Sequence, residues 1–184
     1  MTKRQLKSFS VRTAGNGRQI FLQFPVLKSL GLATQNDSDI LFLRLDLAPI
    51  DSNFYTEEVS VKTAKKLSFI VKRYSLPDLF ASKIAVILKR TFKKGKNNLI
   101  TFKGRDYFDL IWFSEKGIVP NYKRLENIVG KSKKEVLAEL KNKVSLIKPE
   151  YLQEDLNPLF SDQKFVTDFC KNFKNLYKGL QIKN

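Results

Sequence analysis

Residues 75–115, SLPDLFASKIAVILKRTFKKGKNNLITFKGRDYFDLIWFSE, are the stretch on which the reading of the whole chain turns. The pattern predicts two helices joined by a basic, glycine-bearing loop. Ser75 with Asp78 three residues later is a capping-box-like start, and Pro77 falls in the first turn, where its missing N–H costs nothing. Leu76, Phe80, Ile84, Ile87 and Leu88 recur at helical spacing and form a core-facing stripe. Lys83 and Arg90 are seven residues apart, so they project from nearly the same side, away from the centre of that stripe. The run Arg105-Asp106-Tyr107-Phe108-Asp109 opens the second helix, with Asp106 and Asp109 on one face and Arg105 one turn from Asp109. Phe108, Leu110, Ile111, Trp112 and Phe113 make this helix apolar over much of its circumference, which predicts a largely buried element. Charged residues on a buried helix need partners or a task. Two readings stand side by side here. In one, Arg105–Asp109 is an ordinary intrahelical pair, Asp106 faces the helix dipole and Lys83 is solvated. In the other, cations and carboxylates line a polar cleft between the two helices.

Working outward toward the N-terminus, residues 8–74 read mainly as strands. Segments 8–13 and 18–24 alternate enough for a hairpin, with Ala14-Gly15-Asn16-Gly17-Arg18 at its tip. Residues 25–32 read as a short helix or turn ending at Gly31. The strongest strand is DILFLRLDL, 39–47, which sets Ile40, Phe42, Arg44 and Asp46 on one face and four leucines on the other. Segments 57–63 and 67–74 are further strands, the second leading straight into the helix at Ser75. Toward the C-terminus the chain reads as helical. Asn121 caps a helix ending at Gly130, and Ser132 with Glu135 is a capping box for a helix to about Ile147, closed by Pro149. A last helix from about Ser161 presents Phe165, Phe169, Phe173, Leu176 and Leu180 as a core stripe, with Lys171, Lys174 and Lys178 on its outer side. The organisation predicted is a β-rich part, 1–74, followed by a helical part, 75–184.

Composition prunes the chemistry. The chain has 184 residues, enough for a real core, and a formal net charge of +16. Such a field favours RNA, DNA or an acidic protein surface, although a lysine-rich composition alone produces the same number. There is no histidine, which excludes Ser-His-Asp and Cys-His catalysis and the commonest zinc sites. The single cysteine, Cys170, argues for a reducing cytoplasm and against a disulfide frame. Any metal must be a hard cation on carboxylates, in practice magnesium or manganese with phosphates. Neither a Walker A motif nor G-x-G-x-x-G is present, the basic 1–7 run has no apolar stretch behind it, and no apolar run is long enough to span a membrane.

One family carries this pattern. Asp78, Leu79, Ala81, Lys83, Ile84, Ile87 and Arg90, then Lys103-Gly104-Arg105-Asp106-Tyr107 with Asp109 and Leu110, resemble the C-terminal motifs of the AbiEii/AbiGii-type nucleotidyltransferases. These are the toxin components of bacterial toxin–antitoxin and abortive-infection systems. The later EYLQEDLNPLFSD, 150–162, is similar to that family's C-terminal segment, and the resemblance runs over roughly residues 39–180. It implies an α+β fold: a partial nucleotidyltransferase-like mixed β-sheet followed by a C-terminal helical bundle. It implies transfer of nucleotides from an NTP to an RNA acceptor, most plausibly tRNA, with Mg2+ or Mn2+. By the same resemblance Lys83 contacts the triphosphate, Arg90 and Arg105 are nucleotide-binding cations, Asp106 lies beside the reacting centre, Asp109 orients Arg105 or Lys83, and Asp46 is a metal-side carboxylate. The family's first carboxylate pair, on a D-x-D-like run after a Gly-Gly or Gly-Ser turn, has no counterpart here. The expectation is therefore an incomplete enzyme, inactive alone, whose partners are RNA, a cognate antitoxin protein and a missing N-terminal half. The rival expectation is a non-catalytic basic module that binds RNA or docks on an antitoxin.

Overall fold

A computed structural model describes residues 9–65, 67–90 and 102–179. The basic loop tip expected at 93–98 and the Leu180 end of the last stripe lie outside them. The chain divides into two compact units, 1–50 and 51–184.

The first unit is a three-stranded antiparallel sheet, β1 (Ser10–Ala14), β2 (Gln19–Pro25) and β3 (Ile40–Asp46), in the order β1-β2-β3. The β1–β2 hairpin closes as its sequence predicts. Gly15, Asn16 and Gly17 all adopt positive φ (59°, 54° and 80°), a run that two glycines and an asparagine tolerate and most side chains would not. Residues 26–31 form a turn, with the Leu30 N–H donating to the Val26 carbonyl at 3.0 Å and Gly31 at φ 71°. On β3, opposite Phe21, the Arg44 guanidinium lies 5.9 Å from that ring and donates from Nε and Nη2 to Asp46 Oδ1 at 2.9 and 2.7 Å.

The second unit opens with a hairpin, β4 (Glu57–Ala64) and β5 (Leu67–Tyr74), and continues as six helices: α1 (Leu76–Lys89), α2 (Gly104–Glu115), α3 (Tyr122–Val129), α4 (Lys133–Ser145), α5 (Pro149–Leu156) and α6 (Gln163–Gly179). The α+β class is as expected. The described strands pair antiparallel throughout, in two sheets. No connection within either sheet carries the crossover helix that parallel pairing needs. Pro149, expected to close α4, also opens α5, because at the first helical position its absent N–H is not missed.

Caps follow the sequence closely. Ser132 and Glu135 make the full reciprocal capping box. Ser75 caps α1 by accepting the Asp78 N–H at 3.3 Å, but Asp78 does not return the bond; the Ser75 N–H goes to the Thr56 carbonyl at 2.9 Å instead. All fully buried apolar side chains among the described residues, from Phe80 to Phe173, belong to the helices and their connections. The core is therefore helical, and it is what holds the α1–α2 seam in place.

Candidate functional site

Helices α1 and α2 run antiparallel and are tied by two ion pairs. Lys83 Nζ meets Asp109 Oδ2 at 2.6 Å, and Arg90 Nη1 meets Asp106 Oδ2. At 1.5 Å per residue the two cations start about 10 Å apart along α1 and the two carboxylates about 4.5 Å apart along α2, so the long cationic side chains converge on the acids. Sequence spacing put Asp106 and Asp109 on one face, and that face meets the Lys83/Arg90 face. Asp109 is held across helices by Lys83, not along its own helix by Arg105, which is exposed. Asp106 is 3% exposed. A carboxylate so buried is tolerable only because a guanidinium neutralises it. Tyr107 beside it is pushed up to about 12, by burial first and then by the negative charge of Asp106, so its hydroxyl stays protonated at neutral pH.

The N-terminus of α2 is set by contacts from α5. Lys103 at the cap position makes no side-chain capping bond, and the Gly104 N–H donates to Asp155 Oδ2 at 2.6 Å. A Cβ on Gly104 would stand 3.1 Å from a Leu152 methyl and 3.2 Å from Asp155 Cβ. This glycine therefore lets α2 press against α5, which fixes the height of Asp106 two residues on.

A second set of buried charges anchors the other end of α1. Asp78, 1% exposed, accepts from Ser75 Oγ (2.6 Å), the Thr56 N–H (2.8 Å) and Asn121 Nδ2 (2.7 Å). Burial pushes this carboxyl up, but those three hydrogen bonds and the Arg124 charge outweigh it and hold it below the ordinary aspartate value. Arg124, also 1% exposed, donates to Asp51 Oδ1 at 2.6 Å, to the Ser52 carbonyl at 3.2 Å and to Ser82 Oγ at 3.3 Å, and lies 4.9 Å from the Tyr74 ring. Sequence reasoning missed it. The available signal was its place four residues before Ile128, within the apolar stripe of α3.

A cleft of about 190 Å³ opens where the end of α1 and the start of α2 meet the α4–α5 corner. Arg90, Asp106 and Tyr107 line one side; Lys143, Leu146, Lys148 and Tyr151 line the other. The last four were not singled out in the sequence, because their convergence depends on a corner between helices. Lys83 is not among its lining residues. A larger groove of about 450 Å³, between α2 and α6, is lined by Phe108, Trp112, Phe165, Phe169 and Leu176, with Glu115 and Asp168 as its only charges. Its chemistry is apolar and acidic, wrong for a phosphate.

Asp46 lies in the first unit, with its side chain 62% exposed and bound to Arg44. Among the described residues no three His, Cys, Asp or Glu side chains gather where they could hold a metal, so a magnesium ion here would need substrate phosphates or further carboxylates as ligands. The carboxylates present in the described residues thus do not by themselves fit a resident metal ion.

The second unit thus combines an ion-paired helix seam with a cation-lined cleft, in an α+β chain whose formal net charge is +16. The family model described as "Nucleotidyl transferase AbiEii toxin, Type IV TA system" matches residues 4–175, nearly the whole chain. The chain belongs to that family, the nucleotidyltransferase toxins of type IV toxin–antitoxin systems, which implies a cognate antitoxin. No curated protein and no solved structure matches it. The family generally works with an NTP and a divalent metal. No helix among the described residues is long and apolar enough to cross a membrane.

Proposed function

We propose that this chain supplies the nucleotide-positioning part of a cytoplasmic toxin that transfers a nucleotide from an NTP to an RNA acceptor, tRNA in particular. The observation that carries it is the α1–α2 seam: in a member of the AbiEii family, the Lys83–Asp109 and Arg90–Asp106 pairs put two cations in fixed positions along one surface. Lys83 contacts the triphosphate, and Asp109 aims its amine. Arg90 and Arg105 are the supporting cations. Asp106 holds Arg90 and lies beside the reacting centre. Nucleotidyl transfer asks little covalent chemistry of a protein and a great deal of charge placement, which fixed cations of this kind provide.

We infer further that the metal-binding carboxylates are completed from a segment other than residues 9–179, with Asp46 contributing one at most. Purified chain incubated with magnesium, labelled NTPs and total RNA is then expected to transfer no more than a trace of label; robust transfer would overturn the completion reading. In a preparation that does transfer, Lys83→Ala and Asp106→Asn are each expected to lower the rate by about 100-fold or more, the scale seen when a placed electrostatic contact is removed. RNA affinity should stay within about twofold, because each variant changes a single charge at a position assigned to the nucleotide or the reacting centre and not to the RNA backbone. Variants that transfer like the parent would leave the rival reading, a basic RNA-binding or antitoxin-docking module.

A further inference from the structure

We propose that the cleft at the α4–α5 corner is a subsite for the phosphate backbone of the acceptor RNA, gripped by Lys143 and Lys148, with Tyr151 as the surface on which a base or ribose rests. This rests on the nucleotidyltransferase reading and adds where the acceptor lies.

Charge is the first argument. Among the described residues Asp106 is the only carboxylate lining the cleft and Arg90 neutralises it, so the lysines of the opposite wall leave a net positive cavity. Size is the second. The cleft is small, about 190 Å³, and open to solvent, which suits a phosphate and the edge of a nucleoside in a chain that continues beyond it. Position is the third. Lys83, the cation assigned to the triphosphate, lies outside the cleft and about 10 Å from Arg90 along α1, so donor and acceptor occupy neighbouring stations on one seam. The mix of side chains is the fourth. Lys148 Nζ lies 5.7 Å from the centre of the half-buried Tyr151 ring, and Leu146 is exposed at the lip. Cations interleaved with an aromatic face are how proteins hold single-stranded nucleic acid without reading its sequence.

The test is binding of a fluorescent single-stranded RNA to the full chain, without NTP, over a range of salt. Lys143→Glu with Lys148→Glu is expected to raise Kd at least tenfold and to flatten the log–log salt slope by about 1.4, two phosphates at ~0.7 each. Reversing the same charge on the outer side of α6, Lys171→Glu with Lys178→Glu, should change Kd about twofold or less. Affinity for a non-hydrolysable NTP with magnesium should not move in either. Lys143→Gln with Lys148→Gln, with a thermal melt matching the parent, repeats the slope measurement without charge reversal at a helix end. Equal losses from the two pairs would mean that diffuse basic charge binds RNA, and lost NTP affinity with unchanged RNA affinity would mean that the cleft holds the donor. Either result overturns the proposal. Because binding is read without transfer, failure here leaves the Lys83 and Asp106 assignments standing, and failure of those in the transfer assay leaves this measurement intact.

Discussion

The β1–β3 sheet and the helices from α1 to α6 are built by the same rules of apolar periodicity, and the two regions end in opposite states. On the helices, each stripe finds another: Phe80, Ile84, Leu110, Leu125, Leu140, Leu152 and Val166 are all sealed from water. On β3, Leu41, Phe42, Leu43 and Leu45 are all exposed, and the strand forms one edge of its sheet. The β4–β5 hairpin repeats the pattern, with Val59, Val61, Phe69 and Ile70 open to solvent. A helix that packs on several neighbours closes its apolar face from more than one side. A strand covers only its neighbours' backbone edges, so the faces of a sheet stay wet until a second layer arrives. Alternation in a strand therefore states which side wants cover, and says nothing of whether cover is present.

Three measurements break or sharpen that contrast. The largest effect is expected at Arg124. Arg124→Ala empties a large, fully buried site and takes the donor from the Ser52 carbonyl and Ser82 Oγ, at a cost of about 3–5 kcal/mol in urea unfolding, while the half-exposed Asp51 adds little. Protection of the β1–β3 amides from hydrogen exchange should be unchanged, since every Arg124 partner named here lies in the second unit. Next comes a matched pair of leucines. Leu140→Ala should cost about 2–5 kcal/mol as a cavity in the helical core. Leu43→Ala should fall within about 0.5 kcal/mol of the parent, as exposed substitutions do. An equal loss at Leu43 would mean that β3 is covered in solution, and the contrast would fall. The smallest effect is a pH slope. Asp78 titrates lower folded than unfolded, so its stabilisation is whole above the unfolded value, near ~4, and is lost as pH falls through the folded one. Asp78→Asn should flatten the dependence of Tm on pH between 5 and 2, and a slope as steep as the parent's would remove the carboxylate from the account.

Much of the local structure was legible. The caps at Ser75, Asn121 and Ser132, the tip at Gly15–Gly17 and the strand 39–47 follow from chemistry that acts over four or five residues. The four charged residues Lys83, Arg90, Asp106 and Asp109 were legible as two faces, each on its own helix. Which cation meets which acid was not, because Arg105 is as near to Asp109 in sequence as any alternative, and only the antiparallel packing of α1 on α2 delivers Lys83. Asp155 at the N-terminus of α2 lies 51 residues from Gly104, beyond any local rule. Cys170, next to the stripe residue Phe169, is buried, and burial pushes its thiol up to about 11.

By itself the sequence determined most helices and strands, several of their caps, the sign of the surrounding field and the chemistry that lacking histidine excludes, since these depend on residue type and short spacings. Tertiary structure alone decided the ion-pair partners, the anchoring of Arg124 and the convergence of Lys143, Lys148 and Tyr151 on a cleft beside Asp106. Those depend on which faces of separate helices come within a few ångströms, and that is settled by how the whole core packs.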